Sequence, residues 1–375
     1  MATCGSRLRR SGGATAVAAV LASVGAAAPA ATTHAAWCKA DSSAAWQRIL
    51  SRHIVGLSRT TPLVPLALVH DGHSFFSTVY SRSFSGVGEI DARTGVLTRI
   101  KSFPDPNLDQ AWAAVSGRWL VWNEYHGFDS FNDFTVWAWD MQAHKLKQIG
   151  AATRGPSGRF WESPWRGPDV RDGTATWVQG VGPGQLGDVH SYNLRTGRDL
   201  VVRHGHPGGA FLLGHHVLVW AEASAPGVPT RMHAVSALTG ASARLPRALR
   251  AARNVTGLQT DGRRIAYPDA GYKSLWWSPS PGVEAHEVVG TRQLDHVDNS
   301  VQVGGRYVGF GIQPGVFLAD TKTRRYVEIT RHGGWTRVDA LSLLVLFATG
   351  AKALHAHAPI AFVPLRDLPP VPACS

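Results

Sequence analysis

Cysteine, methionine and long hydrophobic runs are scarce in this chain, and the short motifs of common catalytic sites are missing. Three of the 375 residues are cysteine and three are methionine. No Gly-x-Ser-x-Gly, His-Glu-x-x-His or Cys-x-x-Cys sequence occurs, so the sequence carries no signature of a serine hydrolase, a zinc protease or a dithiol site. Residues 341–350 are the longest apolar run after the N-terminal region. A run of that length is about half of what a membrane-spanning helix needs, so we expect a buried strand.

Residues 1–35 predict an export signal. Arg7, Arg9 and Arg10 form a basic start, residues 14–28 are small and apolar, and residues 28–30 and 33–35 fit a signal-peptidase site. The alternative is an uncleaved membrane anchor, which alanine favours less because it is only weakly apolar. We therefore expect a mature protein that is secreted or lies in the periplasm or cell envelope, with no membrane span left after cleavage.

Removal of the signal takes Cys4 away and leaves Cys38 and Cys374 at the two ends of the mature chain. Two thiols in an oxidising compartment tend to pair, which predicts a Cys38–Cys374 disulfide. The alternative is two buried free thiols. A disulfide requires Cα atoms within about 7 Å of each other, so this pairing predicts a fold whose ends meet.

The chain is basic, with 38 Lys and Arg residues against 26 Asp and Glu residues. Such a charge fits anionic wall polymers, acidic polysaccharides or lipid headgroups, although arginine-rich composition also arises without any partner. Nucleic acid is not expected as a partner, because export removes the protein from it and the arginines are scattered. A glycan or an envelope protein stays open as partner, and we expect a monomer.

A short pattern recurs along the mature chain. In each copy a turn residue precedes a run of β-forming residues that ends in an aromatic side chain, and successive copies lie 37 to 55 residues apart. The aromatic residues are Tyr80, Trp122, Trp177, Trp220, Tyr267, Phe310 and Phe347. A second motif follows most copies: two strands around a tight turn, in which Gly95, Gly197 and Gly240 are expected to adopt positive φ.

Each unit therefore predicts about four short antiparallel strands in roughly 45 residues, which is the period of a propeller blade. The sequence predicts an all-β fold with one β-propeller over residues 65–375, seven-bladed, or six-bladed if the first or last copy is incomplete. Residues 36–64 are expected to form an N-terminal segment with a short helix. Closing the ring brings the first and last blades together, where the disulfide would tie the chain ends, and the aromatic side chains fill the space between blades.

The stretch TDGRRIAYPDAGYKSLWW, residues 260–277, resembles the repeat of TolB-like and WD-repeat-like propeller proteins. RDGTATWVQ and SGRWLVWNE are similar to it. The resemblance extends over most of residues 65–370. It implies a propeller fold and leaves the function open, because propellers serve many functions.

Acids and an amide follow four of the aromatic residues at a distance of two positions: Glu124, Gln179, Glu222 and Asp269. Residues i and i+2 share one face of a strand, so these side chains are expected to lie near one mouth of the ring. They would form a polar rim for a ligand, or bond to loop N–H groups at strand ends. If the protein is a polysaccharide lyase or glycoside hydrolase, Glu124, Glu222 and Asp269 are its candidate catalytic acids.

The widest step between copies contains an inserted loop, residues 152–170. Trp161 and Trp165 lie there beside Arg159 and Arg166, and flat rings next to charges are typical of sugar or peptide binding. The alternative is a plug that packs over a blade edge. Paired histidines such as His204 and His206 lack a third convergent ligand, so we expect no metal and no cofactor. Binding or scaffolding is the leading hypothesis, and enzymatic cleavage of polysaccharide is the alternative.

Overall fold

The computed structural model describes residues 36–105, 110–126, 132–163, 167–222, 230–253, 255, 257–268, 274–289, 301–312, 315–331, 334–347 and 358–374. A short strand, β1 (Cys38–Ala40), and a helix, α1 (Ala44–Arg52), come first. Seven antiparallel sheets follow in chain order, so the predicted seven-bladed propeller is confirmed. None of the described helices has the length and apolarity to cross a bilayer.

The strands of the first four blades are β2 (Leu63–Leu68), β3 (Ser74–Ser81), β4 (Phe84–Asp91), β5 (Leu97–Ser102), β6 (Gln110–Ser116), β7 (Trp119–Tyr125), β8 (Phe134–Asp140), β9 (Lys145–Ala151), β10 (Asp169–Arg171), β11 (Thr174–Gly180), β12 (Gly187–Asn193), β13 (Asp199–Gly205), β14 (Pro207–Leu213), β15 (Val217–Glu222) and β16 (Arg231–Ser236). The strands of the last three blades are β17 (Gln259–Thr260), β18 (Ile265–Pro268), β19 (Leu275–Ser278), β20 (His286–Val289), β21 (Gln302–Gly304), β22 (Tyr307–Ile312), β23 (Gly315–Asp320), β24 (Arg325–Thr330), β25 (Gly334–Val338), β26 (Ser342–Phe347) and β27 (Ile360–Pro364).

The first strand of each blade lies innermost, around a central channel. First strands contact one another from β2 through β6 and β10 to β14 and from β17 through β21 to β25, and β25 of the last blade contacts β2 of the first. The fourth and fifth blades share a buried cluster that includes Phe211 and Ile265. Second strands bury both of their faces between neighbouring blades, as β11 shows with six of its seven residues buried. The ring is therefore closed.

The first and third turns of each blade lie on the same side of the ring, because the strands of a meander alternate in direction. In six blades a backbone N–H of the third turn donates to a carbonyl of the first turn, over 2.7–2.9 Å. The donor–acceptor pairs are Ala92–His73, Met141–Arg118, Leu194–Gly173, Ala237–His216, Thr321–Arg306 and Leu365–Leu341. We call this side the turn face: residues 69–73, 92–96, 117–118, 141–144, 172–173, 194–198, 214–216, 237–241, 261–264, 279–285, 305–306, 321–324 and 339–341. The opposite side is the loop face.

The turn chemistry matches the sequence motif. The carboxylates of Asp91 and Asp140 each accept two backbone N–H groups from the residues two and three positions later, as does the amide oxygen of Asn193. Gly95, Gly197 and Gly240 adopt φ of 72°, 77° and 73°, which confirms the prediction. Side-chain bonds of this kind fix the turn without help from neighbouring blades.

The N-terminal segment completes the last two blades. Strand β1 pairs in parallel with β24, the outermost strand of the sixth blade. Residues 53–55 then pair with β27, because Val55 N–H donates to the Ile360 carbonyl and Phe362 N–H donates to the His53 carbonyl. Part of the segment at residues 36–64 thus belongs to blades, and strands from both ends of the chain close the ring.

The disulfide between Cys38 and Cys374 is present, with its Cα atoms 6.2 Å apart, as the terminal position of Cys374 predicts. Between the two cysteines lies α1, whose Trp46 and Leu50 pack in one buried cluster with Val371 of the C-terminal tail. The Trp46 indole Nε1 also donates to the Pro370 carbonyl over 3.4 Å. The tail therefore packs against α1 at Pro370 and Val371.

Aromatic residues fill the spaces between blades two to six, at the third or fourth position of the second strand. Trp122, Trp177, Trp220, Tyr267 and Phe310 are all at most 4% exposed. In the first and last blades the sequence pattern is misleading. The fourth residues of β3 and β26 are Ser77 and Val345, whereas Tyr80 and Phe347 lie near the strand ends and are half-buried.

Candidate functional site

Glu124 lies at an interface between blades. It is the sixth residue of β7 and is 1% exposed. Its carboxylate accepts a hydrogen bond from Lys101 Nζ, 2.8 Å away, and Lys101 belongs to β5, the outermost strand of the preceding blade. The same ammonium lies 4.8 Å from the centre of the Trp137 ring. The carboxylate, the cation and the ring together join the first blade to the second.

Glu222 occupies the corresponding place two blades later, at the end of β15. Arg203 of β13, in the preceding blade, donates to both carboxylate oxygens over 2.8–3.1 Å. The Trp220 indole donates a further bond over 3.1 Å. Burial alone raises the pKa of Glu222, but the bonds from Arg203 and Trp220 outweigh burial and leave the pKa below its usual value.

Glu124 and Glu222 occupy the same position in the sequence repeat, but they do not belong to one common site. Each is held by a cation from its own neighbouring blade, so Glu124 and Glu222 act as inter-blade ties. Gln179 lies at the equivalent place in β11. Asp269 lies outside the described residues. A pair of carboxylates facing one substrate, which polysaccharide hydrolysis needs, does not arise from Glu124 and Glu222.

The inserted loop forms a small hairpin of its own. Arg154 bridges to Phe160, with its guanidinium 3.8 Å from the centre of that ring. Trp161 is half-buried and packs directly over Gly155. Thr153 Oγ1 bonds to the Gly180 carbonyl and fastens the hairpin to β11. Arg159 is exposed at the hairpin, and Trp165 and Arg166 lie outside the described residues.

Charged side chains also occupy the central channel, where the sequence analysis placed none. Asp169 and Arg171 lie two positions apart on β10. Arg171 reaches the next two blades: its Nε donates to the Leu212 carbonyl of the fourth blade over 3.3 Å, and its Nη2 donates to the Thr260 carbonyl of the fifth over 2.5 Å. Asp169 Oδ2 accepts from the Leu212 N–H over 2.7 Å. Burial raises the pKa of Asp169, against the opposing effect of the Arg171 charge.

Three more polar residues lie at the same depth along the channel as Asp169. Arg337, Gln259 and Gln302 each pair with the second or third residue of their blade's second strand, as Asp169 does. All three are half-buried. Arg337 Nε donates to the Leu66 carbonyl of the first blade over 2.9 Å, so this side chain also runs along the channel wall. Four of the seven blades thus present a charged or amide group at this depth.

A histidine–aspartate pair lies at the mouth of the channel on the turn face. His70 Nδ1 is 3.1 Å from Asp339 Oδ2, which joins the first blade to the last. The other oxygen of Asp339 accepts the N–H groups of Leu341 and Ser342. The hydrogen bond to Asp339 raises the pKa of His70, while partial burial and the charge of Arg171 act in the opposite direction. We call His70, Asp169, Arg171, Arg337 and Asp339 the channel cluster.

Stability should respond to the protonation of His70. A raised pKa means that the protonated ring stabilises the fold fully below pH 6.5, and that this contribution disappears as the pH rises through the folded-state pKa. Between pH 6 and pH 9 we expect the wild type to lose more unfolding free energy than His70→Gln, by less than about 1 kcal/mol because the ring is half exposed. Urea denaturation of both proteins at several pH values measures the difference. An identical pH dependence of the two proteins would contradict this assignment.

Sequence reasoning missed the channel cluster, although it had a signal. The segments PDVRDG and WTRVDA place charged residues two apart in the short run before a turn, whereas the first strands of the other five blades contain no Asp, Glu, Lys or Arg. Charges in an innermost strand indicate a polar channel. Among the described residues, no group of three His, Cys, Asp or Glu side chains is arranged to hold a metal ion.

No protein-family model matches this chain, and no curated protein matches it. Solved structures match at the level of the fold. The β-propeller domain of the Trilobed protease from Pyrococcus furiosus, described as having an open velcro topology, is 11% identical with a TM-score of 0.53, covering 81% of this chain and 93% of that chain. The RRP9 WD40 repeats are 10% identical with a TM-score of 0.49, covering 83% and 96%. TolB from Acinetobacter baumannii is 10% identical with a TM-score of 0.39, covering 80% and 63%. The resemblance to propeller repeat proteins is confirmed for the fold alone, by the structure whose TM-score exceeds 0.5.

Proposed function

We propose that this protein is an exported propeller that binds an acidic oligosaccharide at the turn-face mouth of its central channel. The channel cluster is the observation that supports this function. Arg171 uses two of its five N–H groups on carbonyls of the channel wall, and the other three make no hydrogen bond to the described residues. A guanidinium fixed in this way is ready to bond a carboxylate without further ordering.

Other polar side chains of the channel also suit a sugar acid. Gln259, Gln302 and Asp169 offer amide and carboxylate groups that bond hydroxyls, and Arg337 supplies a second cation. Export is supported by the basic and alanine-rich residues 1–35 and by the disulfide, since such bonds persist outside the reducing cytosol. The protein would therefore be secreted, or would lie in the periplasm or cell envelope, where acidic polymers are plentiful.

Cleavage of polysaccharide has less support than binding. Both described candidate acids, Glu124 and Glu222, are held in separate interfaces by Lys101 and Arg203. Binding without turnover needs only the cations and amides of the channel.

Calorimetric titration with uronic-acid oligosaccharides and their neutral counterparts tests the proposal. We expect the acidic ligands to bind, and Arg171→Gln to weaken binding about 10-fold or more, since a hydrogen bond to a charged group contributes about 1.5–3 kcal/mol. Arg99→Gln, on the outer strand β5, is the matched control and should bind like the wild type. Equal binding of neutral sugars would overturn the proposal. Full binding by Arg171→Gln together with loss in Trp161→Ala would move the site to the inserted hairpin.

A further inference from the structure

The turn face carries exposed cations from most of its circumference. Arg118, Arg264 and Arg306 of this face form salt bridges with Asp140, Asp261 and Asp320. Six other Lys and Arg residues, in the turns or directly after them, are exposed and form no salt bridge with a described residue. They belong to the first, second, third, fifth and sixth blades: Arg93, Lys145, Arg195, Arg198, Arg263 and Lys322. Because the turns are short, these side chains project from one level of the ring.

Exposed aliphatic side chains lie on the same face. Seven large hydrophobic residues are exposed in the described part of the chain, and four of them belong to the turn face. These are Val96 (61% exposed), Leu238 (43%), Val283 (40%) and Leu341 (48%), from the first, fourth, fifth and seventh blades. We call these four side chains the aliphatic tips. Every blade therefore contributes at least one exposed cation or one aliphatic tip to this face.

The acids of the turn face contribute little negative charge to its surface. Asp140, Asp320 and Asp339 are at most 5% exposed, because their carboxylates point back to cap the turns. Two exposed acids have partners of their own, because Asp71 lies 3.3 Å from His73 and Glu284 lies 2.9 Å from Arg247. Asp172 is a further exposed acid on this face and forms no salt bridge with a described residue. The exposed surface of the turn face therefore carries mainly positive charge, together with the four exposed aliphatic side chains.

We infer that the turn face docks on a bilayer surface rich in anionic lipids. A flat ring of cations attracts lipid phosphates over its whole area, and each Lys or Arg near such a surface adds about fivefold to the partition coefficient. Aliphatic tips at the same level enter the boundary between headgroups and acyl chains. A soluble polyanion would be bound by the cations but would gain nothing from Val96, Leu238, Val283 and Leu341.

Vesicle sedimentation tests this docking surface. Protein expressed from the full chain is mixed with vesicles of phosphatidylglycerol and phosphatidylcholine, and with vesicles of phosphatidylcholine alone. We expect binding to the anionic vesicles only, weakening between low salt and about 0.15 M salt as the charges are screened. The triple variant Arg93→Glu, Arg195→Glu, Lys322→Glu should lower the partition coefficient about 100-fold. A triple variant of equal net charge, Arg48→Glu, Arg82→Glu, Arg331→Glu, changes exposed residues away from the turn face and should stay near the wild type.

Substitution of the aliphatic tips distinguishes binding to a bilayer from binding to a soluble polyanion. Val96→Ser with Leu341→Ser should lower vesicle binding about 10-fold and leave the affinity for polyphosphate unchanged. Vesicle binding that survives this change, or that falls equally in both triple variants, would overturn the inference. Equal binding to the neutral vesicles would also overturn it, because the cations would then have no part in the contact.

Discussion

Loss of the Cys38–Cys374 bond is expected to lower the free energy of unfolding by about 5 kcal/mol. The two cysteines are 336 positions apart in the sequence, so the bond closes most of the 375-residue chain into one loop. An unfolded chain without the bond has far more conformations than one closed by it. The chain-entropy model attributes the loss of unfolding free energy to this gain in conformational entropy of the unfolded state.

The folded ring should survive the loss of the bond. Strand β1 stays paired with β24, and residues 53–55 stay paired with β27, because neither pairing uses a cysteine side chain. Opening should be confined to α1 and the tail that packs on Trp46. The double variant Cys38→Ala, Cys374→Ala therefore combines a large loss of global stability with a nearly unchanged native structure.

Urea denaturation of the double variant, next to the oxidised and reduced wild type, measures this effect. The reduced wild type should match the double variant, which separates the bond from any packing defect caused by alanine. Hydrogen exchange over residues 36–52 should rise in the double variant while the central strands keep their protection. A double variant within about 1 kcal/mol of the oxidised protein would show that the bond does not restrain the unfolded chain as the entropy model requires.

The fold was predictable because its determinants are local. In the first and third blades a turn recurs whose Asp or Asn caps its own backbone and whose glycine takes positive φ, at Asp91 with Gly95 and at Asn193 with Gly197. Such turns fix strand pairing within a blade before any contact between blades forms. The position of Cys374 then supplied the one long-range restraint, since a bond to Cys38 requires the ends of the array to meet.

The roles of the candidate acids were not predictable, because their partners come from another blade. Nothing near Glu222 in the sequence indicates that Arg203, on the outermost strand of the preceding blade, will bond both of its carboxylate oxygens. Arg171 shows the same limit, since it bonds carbonyls 41 and 89 positions away. The sequence repeat gives a residue's place within a blade, whereas the packing of neighbouring blades decides what that residue contacts.

The position of each aromatic residue within its strand shows in which blades the sequence repeat fails to predict burial. The sequence pattern treats Tyr80 and Trp122 as equivalent, yet Trp122 is the fourth residue of its strand and Tyr80 the seventh. Trp122 is fully buried in the cluster between the first two blades, with Phe76, Val87 and Leu120. Tyr80 only packs against the edge of that cluster, its ring centre 6.3 Å from that of Phe103.

We therefore expect truncation of Trp122 and of Tyr80 to lower the free energy of unfolding by different amounts. Trp122→Ala removes a buried ring from a closed space and is expected to cost about 3–5 kcal/mol of unfolding free energy, as large-to-small changes in a core do. Tyr80→Ala should cost less than about 2 kcal/mol, because water already reaches part of the ring and the site can relax. Phe310→Ala and Phe347→Ala form a second matched pair, fully buried and half-buried. Urea denaturation gives all four values, and equal losses within either pair would refute the assigned register, since the sequence repeat alone predicts that equality.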